Sequence, residues 1–107
     1  MRAPAPTDWS LMSIVTIFEI RGDTDEILAL QEEKIEEVIR PAAEKNGGIS
    51  HLALRTDDGV LVVNHWETTE GMERSVEEVR PKMDEAGLPA PENWKSYEVA
   101  RHVVVNQ

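Results

Sequence analysis

The chain has 107 residues, the size of one ordinary domain, and 40% of them are hydrophobic, enough for a packed core. It has no cysteine, which excludes disulfides, thiolate metal sites and a cysteine nucleophile. The formal net charge of -10 disfavours binding to nucleic acid and to anionic lipid surfaces. With no apolar run of about 18 residues and no apolar core of a signal peptide, we expect a cytoplasmic protein with neither membrane nor nucleic-acid partners.

The chain begins with a segment that has no hydrophobic period, and we expect residues 1–12 to be a flexible tail before a single domain at 13–107. Strand one is predicted at Ile14–Ile20, which is dense in β-branched and aromatic residues. A turn follows, and Asp23 with Glu26 matches a capping box at the start of helix one.

Helix one is predicted from residues that recur at helical spacing after this cap. The members of this stripe are Ile27, Leu28, Gln31, Ile35, Val38, Ile39 and Ala42. Asn46-Gly47-Gly48 ends the helix. Strand two is then predicted at Ile49–Thr56 and strand three at Val60–Thr68, joined by a hairpin turn at Asp58-Gly59.

The second half of the chain repeats this organisation. Helix two is predicted from Glu70 to Ala86 and strand four from Trp94 to Val105, so the element order is β-α-β-β-α-β. The pattern R-P-x-x-[D/E]-x-x-G begins at Arg40 and again at Arg80, near the end of each helix. Because proline lacks an N–H and clashes with the preceding turn, we expect each helix to kink or change pitch there.

The predicted strands are apolar on both faces, which indicates that both faces of the sheet are covered. Ile14–Phe18, Val60–Val63 and Val103–Val105 do not alternate with polar residues, as strands wetted on one face would. Two helices cover only one face of a four-stranded sheet. The simplest cover for the other face is a second copy, so the sequence predicts a homodimer built through the sheet faces.

One face of the predicted hairpin carries an unusual set of side chains. With Asp58-Gly59 as the turn, this face holds His51, Ala53, Arg55, Val62, Asn64 and Trp66, with Arg55 opposite Val62, Ala53 opposite Asn64 and His51 opposite Trp66. A small residue beside an amide, an indole and an imidazole is typical of a ligand pocket. The alternative is that His51 and Trp66 form an ordinary packed pair. Because His65 points to the other face, no metal site is predicted.

Strand four offers a second candidate for ligand contact. As predicted, it places Tyr97 and Arg101 on one face, where they would extend the pocket. Arg101 would then steer an anionic substrate into an otherwise acidic protein. The alternative is that Tyr97 packs at a sheet edge and Arg101 pairs with a surface carboxylate.

The chain resembles the dimeric α/β-barrel superfamily, in particular its antibiotic biosynthesis monooxygenase group, over about residues 14–105. The segments that carry the resemblance are Ile14-Val15-Thr16-Ile17-Phe18-Glu19, the Gly-Gly-Ile-Ser-His start of strand two, and Val62-Val63-Asn64-His65-Trp66-Glu67-Thr68, which is similar to the group's aliphatic–x–x–Trp–Glu strand. The resemblance implies a ferredoxin-like α+β fold whose four-stranded antiparallel sheet pairs with a second copy into a barrel. It also implies a pocket between the helices and the sheet, into which Trp66 projects.

The resemblance does not imply one activity, because members of the group differ in the reactions they catalyse. Members of the group include cofactor-free oxygenases of anthrone-type aromatic polyketides, haem-degrading enzymes, quinol oxygenases and proteins without known chemistry. Haem-degrading members pair the tryptophan with an asparagine on strand one and a histidine on helix two, and this chain has neither. Oxygenase members often carry the helix-two histidine as well, so its absence also weakens that assignment.

The leading hypothesis is a cofactor-independent monooxygenase of a phenolic or polyketide-like aromatic substrate. His51 would remove a proton, Asn64 would hydrogen-bond the developing oxyanion and Trp66 would stack on the ring. Further ligand contacts are predicted at Ala53, Val62, Tyr97 and Arg101, with no cofactor and no metal. The alternatives are a dimer that binds a small apolar or aromatic ligand without turning it over, and a structural or stress-associated dimer.

Overall fold

A computed structural model describes residues 13–106, so the tail predicted at 1–12 lies outside the described residues. In chain order the elements are β1 (Ile14–Arg21), α1 (Thr24–Lys34), a π-helical segment (Ile35–Ile39), α2 (Arg40–Lys45), β2 (Gly48–Thr56), β3 (Gly59–Trp66), α3 (Thr69–Glu85) and β4 (Glu92–Glu98). The predicted β-α-β-β-α-β order is confirmed, and the fold is a ferredoxin-like α+β fold.

The sheet is antiparallel, with strand order β2-β3-β1-β4, so β1 and β3 are its central strands. The helices cover one face of it, and the core lies between them and this face. Two clusters of buried residues form that core: Ile20, Ile27, Val60 and Val62 in one, and Ile14, Trp66 and Met72 in the other. Burial of each large apolar side chain stabilises the fold by about 1.5–3 kcal/mol.

The β2–β3 hairpin turns one residue earlier than predicted. Thr56 pairs with Gly59, so Asp57 and Asp58 form the turn, and the predicted Asp58-Gly59 turn is wrong. Gly59 is required for another reason, since a Cβ there would lie 2.0 Å from the carbonyl oxygen of Ile20. The glycine lets the hairpin approach β1.

This shift changes the cross-strand partners but not the faces. His51 now lies opposite Asn64, rather than opposite Trp66. The same displacement places Ala53 opposite Val62 and Arg55 opposite Val60. Because the register moves by two residues and side chains alternate with a period of two, all six predicted residues still share one face.

The two helix-terminal prolines behave differently. Ahead of Pro41 the chain is π-helical, with the N–H of Arg40 bonded to the carbonyl of Ile35, so the predicted change of pitch is confirmed there. Pro81 lies inside the continuous α-helix α3, so the second helix does not change pitch at its proline. Pro81 is exposed and only four residues from the helix end, where one missing hydrogen bond disturbs little.

Strand β4 is shorter than predicted. It ends at Glu98, which pairs with Ile14, the first residue of β1. One further bond joins the N–H of Val99 to the carbonyl of Ser13 at 2.9 Å, and 100–106 have no regular secondary structure. Among the described residues, β4 pairs with β1 no further than Glu98 opposite Ile14. The prediction that Tyr97 and Arg101 share a strand face is therefore wrong.

The sheet face that the helices leave uncovered is also apolar, and we call it the open face. Among its residues are Val15, Ile17, Leu52, Leu54, Leu61, Val63 and Tyr97. Leu52 is 56% exposed and Tyr97 53% exposed.

Among the helices of the described residues, none combines the length and the apolar composition that a membrane span needs.

Candidate functional site

A cavity of about 490 Å³ lies between the helices and the covered face of the sheet. Residues of β1, β2 and β3 form its floor, the α-helices and the π-helical segment form its walls, and Leu88 to Trp94 close one end. Most of its wall is apolar, with a few polar groups, which is the usual composition of a small-molecule site.

His51 and Asn64 form a hydrogen-bonded pair on this floor. They are cross-strand partners, and His51 Nδ1 lies 2.6 Å from Asn64 Oδ1. With the amide oxygen as acceptor, Nδ1 of His51 donates, so Nε2 of the neutral ring is the basic nitrogen. The Asn64 amide nitrogen is then left to donate to a ligand.

Trp66 is held in place by a partner that the sequence analysis did not identify. Its Nε1 donates to Thr16 Oγ1 at 3.1 Å, and both side chains are buried, Thr16 completely. Ile14 and Met72 pack around the indole. The indole is thus a fixed part of the wall. A threonine between apolar residues on the covered side of strand one is the signal that could have identified Thr16.

Phe18 and Trp94 add a flat aromatic wall. Their rings are stacked with centroids 4.6 Å apart and an interplanar angle of 1°, and both line the cavity. Trp94 is 39% exposed, so one side of this stack meets solvent. The expected ferredoxin-like fold places β4 beside β1, but no residue pattern in the sequence indicated that these two rings would meet.

The predicted site residues are only partly brought together. The four that line the cavity are His51, Val62, Asn64 and Trp66. Ala53 shares their sheet face but is not part of the wall. Tyr97 pairs with Val15 and so lies on the open face, while Arg101 follows the end of β4, and neither lines the cavity.

Charged side chains near the cavity come instead from the repeated helix-end pattern. Arg40 and Glu44 on α2, and Arg80 and Asp84 on α3, all line it and occupy equivalent places in R-P-x-x-[D/E]. The Nε of Arg40 bonds the Glu36 carboxylate at 3.0 Å. The repeat was the sequence signal for these residues, and it was interpreted only as a helix-end feature.

Two buried polar side chains line the helix side of the cavity. Gln31 on α1 is 6% exposed and Ser75 on α3 is 3% exposed. The Oε1 atom of Gln31 has no hydrogen-bond partner among the described residues. The signal for Gln31 was visible in the sequence, since it is the one polar member of an otherwise apolar stripe.

His65 follows Asn64 in β3 and contributes to the lining of the cavity, but its pairing with Val15 places its side chain on the open face. Its ring is 4.9 Å from that of His102 in an edge-on arrangement. Burial, and then the charge of His102, lower the pKa of His65. Within 13–106 no group of three or more histidine or acidic residues is placed to hold a metal ion.

No family model matches the chain, and no curated protein sequence matches it. Solved structures do match. A candidate antibiotic biosynthesis monooxygenase from Chloroflexus aurantiacus has a TM-score of 0.63 at 13% identity, over 88% of this chain and 99% of that one. SnoaB, a cofactor-independent oxygenase from Streptomyces nogalater, has a TM-score of 0.59 at 17% identity, over 89% and 97%.

A dimeric ferredoxin-like protein from an uncultured marine organism has a TM-score of 0.56 at 12% identity, over 90% of this chain and 94% of that one. The chain shares the ferredoxin-like fold of these proteins. At such identities the likeness establishes the fold and leaves the reaction to be argued from the site.

Proposed function

We propose that the protein is a cofactor-independent monooxygenase of a flat, phenolic or polyketide-like aromatic substrate. The observation that carries this proposal is the His51–Asn64 pair at 2.6 Å on the floor of an aromatic-lined cavity. The fold shared with a cofactor-independent oxygenase supports it.

The pair suits the first step, removal of a proton from an activated ring CH₂ group. Nε2 of His51 takes the proton as the general base. The charge left on the substrate moves to its ring oxygen, which accepts a hydrogen bond from the Asn64 amide nitrogen. The bond between His51 and Asn64 orients both groups.

The substrate anion then reacts with O₂ directly. It passes one electron to O₂, and the two radicals combine to form a C–O bond, giving a hydroperoxide after protonation. Loss of water from the hydroperoxide leaves a carbonyl, so one oxygen atom enters the product and the other becomes water. The apolar wall around Trp66 and the Phe18–Trp94 stack would hold the planar substrate and keep bulk water away.

Oxygen uptake with anthrone, which has such a ring CH₂ group, tests the proposal. We expect uptake by the wild-type protein and a loss of 10²-fold or more in kcat for His51→Gln, the range of a general base. The matched control is His102→Gln, which changes a histidine outside the cavity and should retain activity. Uptake that does not exceed buffer, or that is equal in His51→Gln, would reject the proposal.

A binding protein without turnover is the second candidate. The observation that favours it is the absence of histidine from α3, which leaves that wall without a basic imidazole. Saturable binding of anthrone without oxygen uptake would support this candidate over the first.

We further propose that two copies pair through the open face. That face exposes Leu52 and Leu54 on one edge strand and Tyr97 on the other, with half-buried Val63 on the strand beside the leucines. A fold neighbour is described as dimeric. Burying such a surface contributes about 25 cal/mol per Å² of apolar area. The cavity lies on the other side of the sheet, so each copy would carry its own site.

A further inference from the structure

The amide of Gln31 is a buried polar group whose role in the fold is not evident. It sits on α1 one turn after Ile27, a member of the apolar core, and is itself 6% exposed. Its Oε1 finds no donor among residues 13–106. A buried amide oxygen without a partner destabilises the fold, and an apolar side chain of similar size would avoid that cost.

The position of Gln31 in the cavity wall provides a reason for a polar side chain there. The side chain lines the cavity, on the helix side, while the His51–Asn64 pair lies on the strand side. A half-turn about the last side-chain torsion exchanges the oxygen and nitrogen of the amide, and that torsion is soft. Oε1 is itself inaccessible, so the amide meets the contents of the cavity through its nitrogen, or through its oxygen after this half-turn.

We propose that Gln31 is a specificity-determining residue that binds a hydroxyl group on the edge of the ligand nearest α1. A hydroxyl is both donor and acceptor, so it pairs with either end of the amide. An aromatic ring without that hydroxyl would fill the same apolar space but leave the amide unpaired. This inference rests on the proposed ligand-holding function of the cavity and names the ligand class as hydroxylated aromatics.

Equilibrium dialysis with 1-naphthol and naphthalene tests it, since these probes differ by one hydroxyl. We expect the wild-type protein to bind 1-naphthol about tenfold more tightly, the contribution of one hydrogen bond. In Gln31→Met, which keeps the length of the side chain and removes its polar atoms, the preference should fall to about one. Naphthalene affinity should be unchanged, and the thermal midpoint should be equal to or above that of the wild type.

The control is Leu28→Met, an apolar exchange on the same helix that does not line the cavity. It should keep the tenfold preference. A wild type with no preference, binding of neither probe, an intact preference in Gln31→Met, or an equal loss for both probes would overturn the inference. Failure of oxygen uptake with the preference intact would reject only the proposed reaction, and uptake with a preference insensitive to Gln31 would reject only this inference.

Discussion

On the covered face of the sheet Ile20, Val60 and Val62 are each 1% exposed, whereas on the open face Leu52 is 56% and Leu54 42% exposed. Both faces carry apolar side chains of the same kinds, and the exposed leucines lie on the edge strand β2, whereas the buried residues lie on the central strands β1 and β3. The covered face also carries a threonine, an asparagine, a histidine and a tryptophan that hydrogen-bond in pairs. On the covered face these polar groups pair with one another, whereas the open face is mainly apolar and its polar residues include His65, Glu19 and Lys95. This difference separates a site for a small molecule from a surface suited to a second copy.

The largest effect is expected from a charge on the open face. Val63→Asp should abolish the dimer or the fold, because a carboxylate cannot be buried there without a partner. Light scattering would show a change from twice the 12.1 kDa chain mass to the chain mass itself. Leu52→Asp, at an exposed edge position, should dissociate the dimer and leave the fold intact.

The matched control for this pair is Thr69→Asp, which adds the same charge at the exposed start of α3. It should leave the mass unchanged. A wild-type chain that is folded and monomeric at micromolar concentration would contradict the assignment of the open face as an interface.

The next effect is expected on the covered face, at Asn64. Asn64→Leu should lower kcat by about 10–10²-fold by removing both the partner of His51 and the donor to the substrate oxygen. The change should leave the dimer intact, since Asn64 lies on the other face from Val63. Stopped-flow oxygen consumption checks the first expectation and light scattering the second; loss of the dimer with unchanged kcat would reverse the roles of the two faces.

Much of the difference between the covered face and the open face could be predicted from the sequence. Side-chain alternation assigns residues to the correct face even when the predicted register is wrong. His51, Asn64 and Trp66 share a face under both the predicted pairing and the observed one. Side-chain alternation could not show where β4 ends, because residues 99–105 also have the composition of a strand. The end of β4 became visible only from its pairing, in which Glu98 lies opposite Ile14, the first residue of β1. Alternation also could not identify Trp94 or Gln31, whose role depends on which elements meet across the cavity.

A smaller effect is expected at Thr16. Thr16→Val preserves shape and removes the acceptor for Trp66 Nε1, which should cost about 1–3 kcal/mol of unfolding free energy. Urea denaturation measures this cost. A double-mutant cycle with Trp66→Phe should show coupling between the two changes, and additive effects would mean that the hydrogen bond contributes nothing.

The smallest effect is expected from pH, which should change the unfolding free energy through His65. Because burial and His102 lower the pKa of His65, the folded state binds its proton less readily than the unfolded state does. The contribution of His65 to the unfolding free energy should therefore be at its maximum above the ordinary histidine pKa of about 6.5. It should decrease as the pH falls below that value. His65→Leu should reduce this pH dependence in urea titrations between pH 7.5 and 5, whereas an unchanged slope would show that other groups cause it.

The most direct test of the proposed reaction is to follow the oxygen atoms with isotopically labelled O₂ and anthrone as the substrate. We predict one labelled atom in the new carbonyl of the product and the other in water, at a rate lowered 10²-fold or more in His51→Gln and unchanged in His102→Gln. A product without label, or equal rates of labelling in the wild type and His51→Gln, would contradict the assignment of the cavity as an oxygenase site.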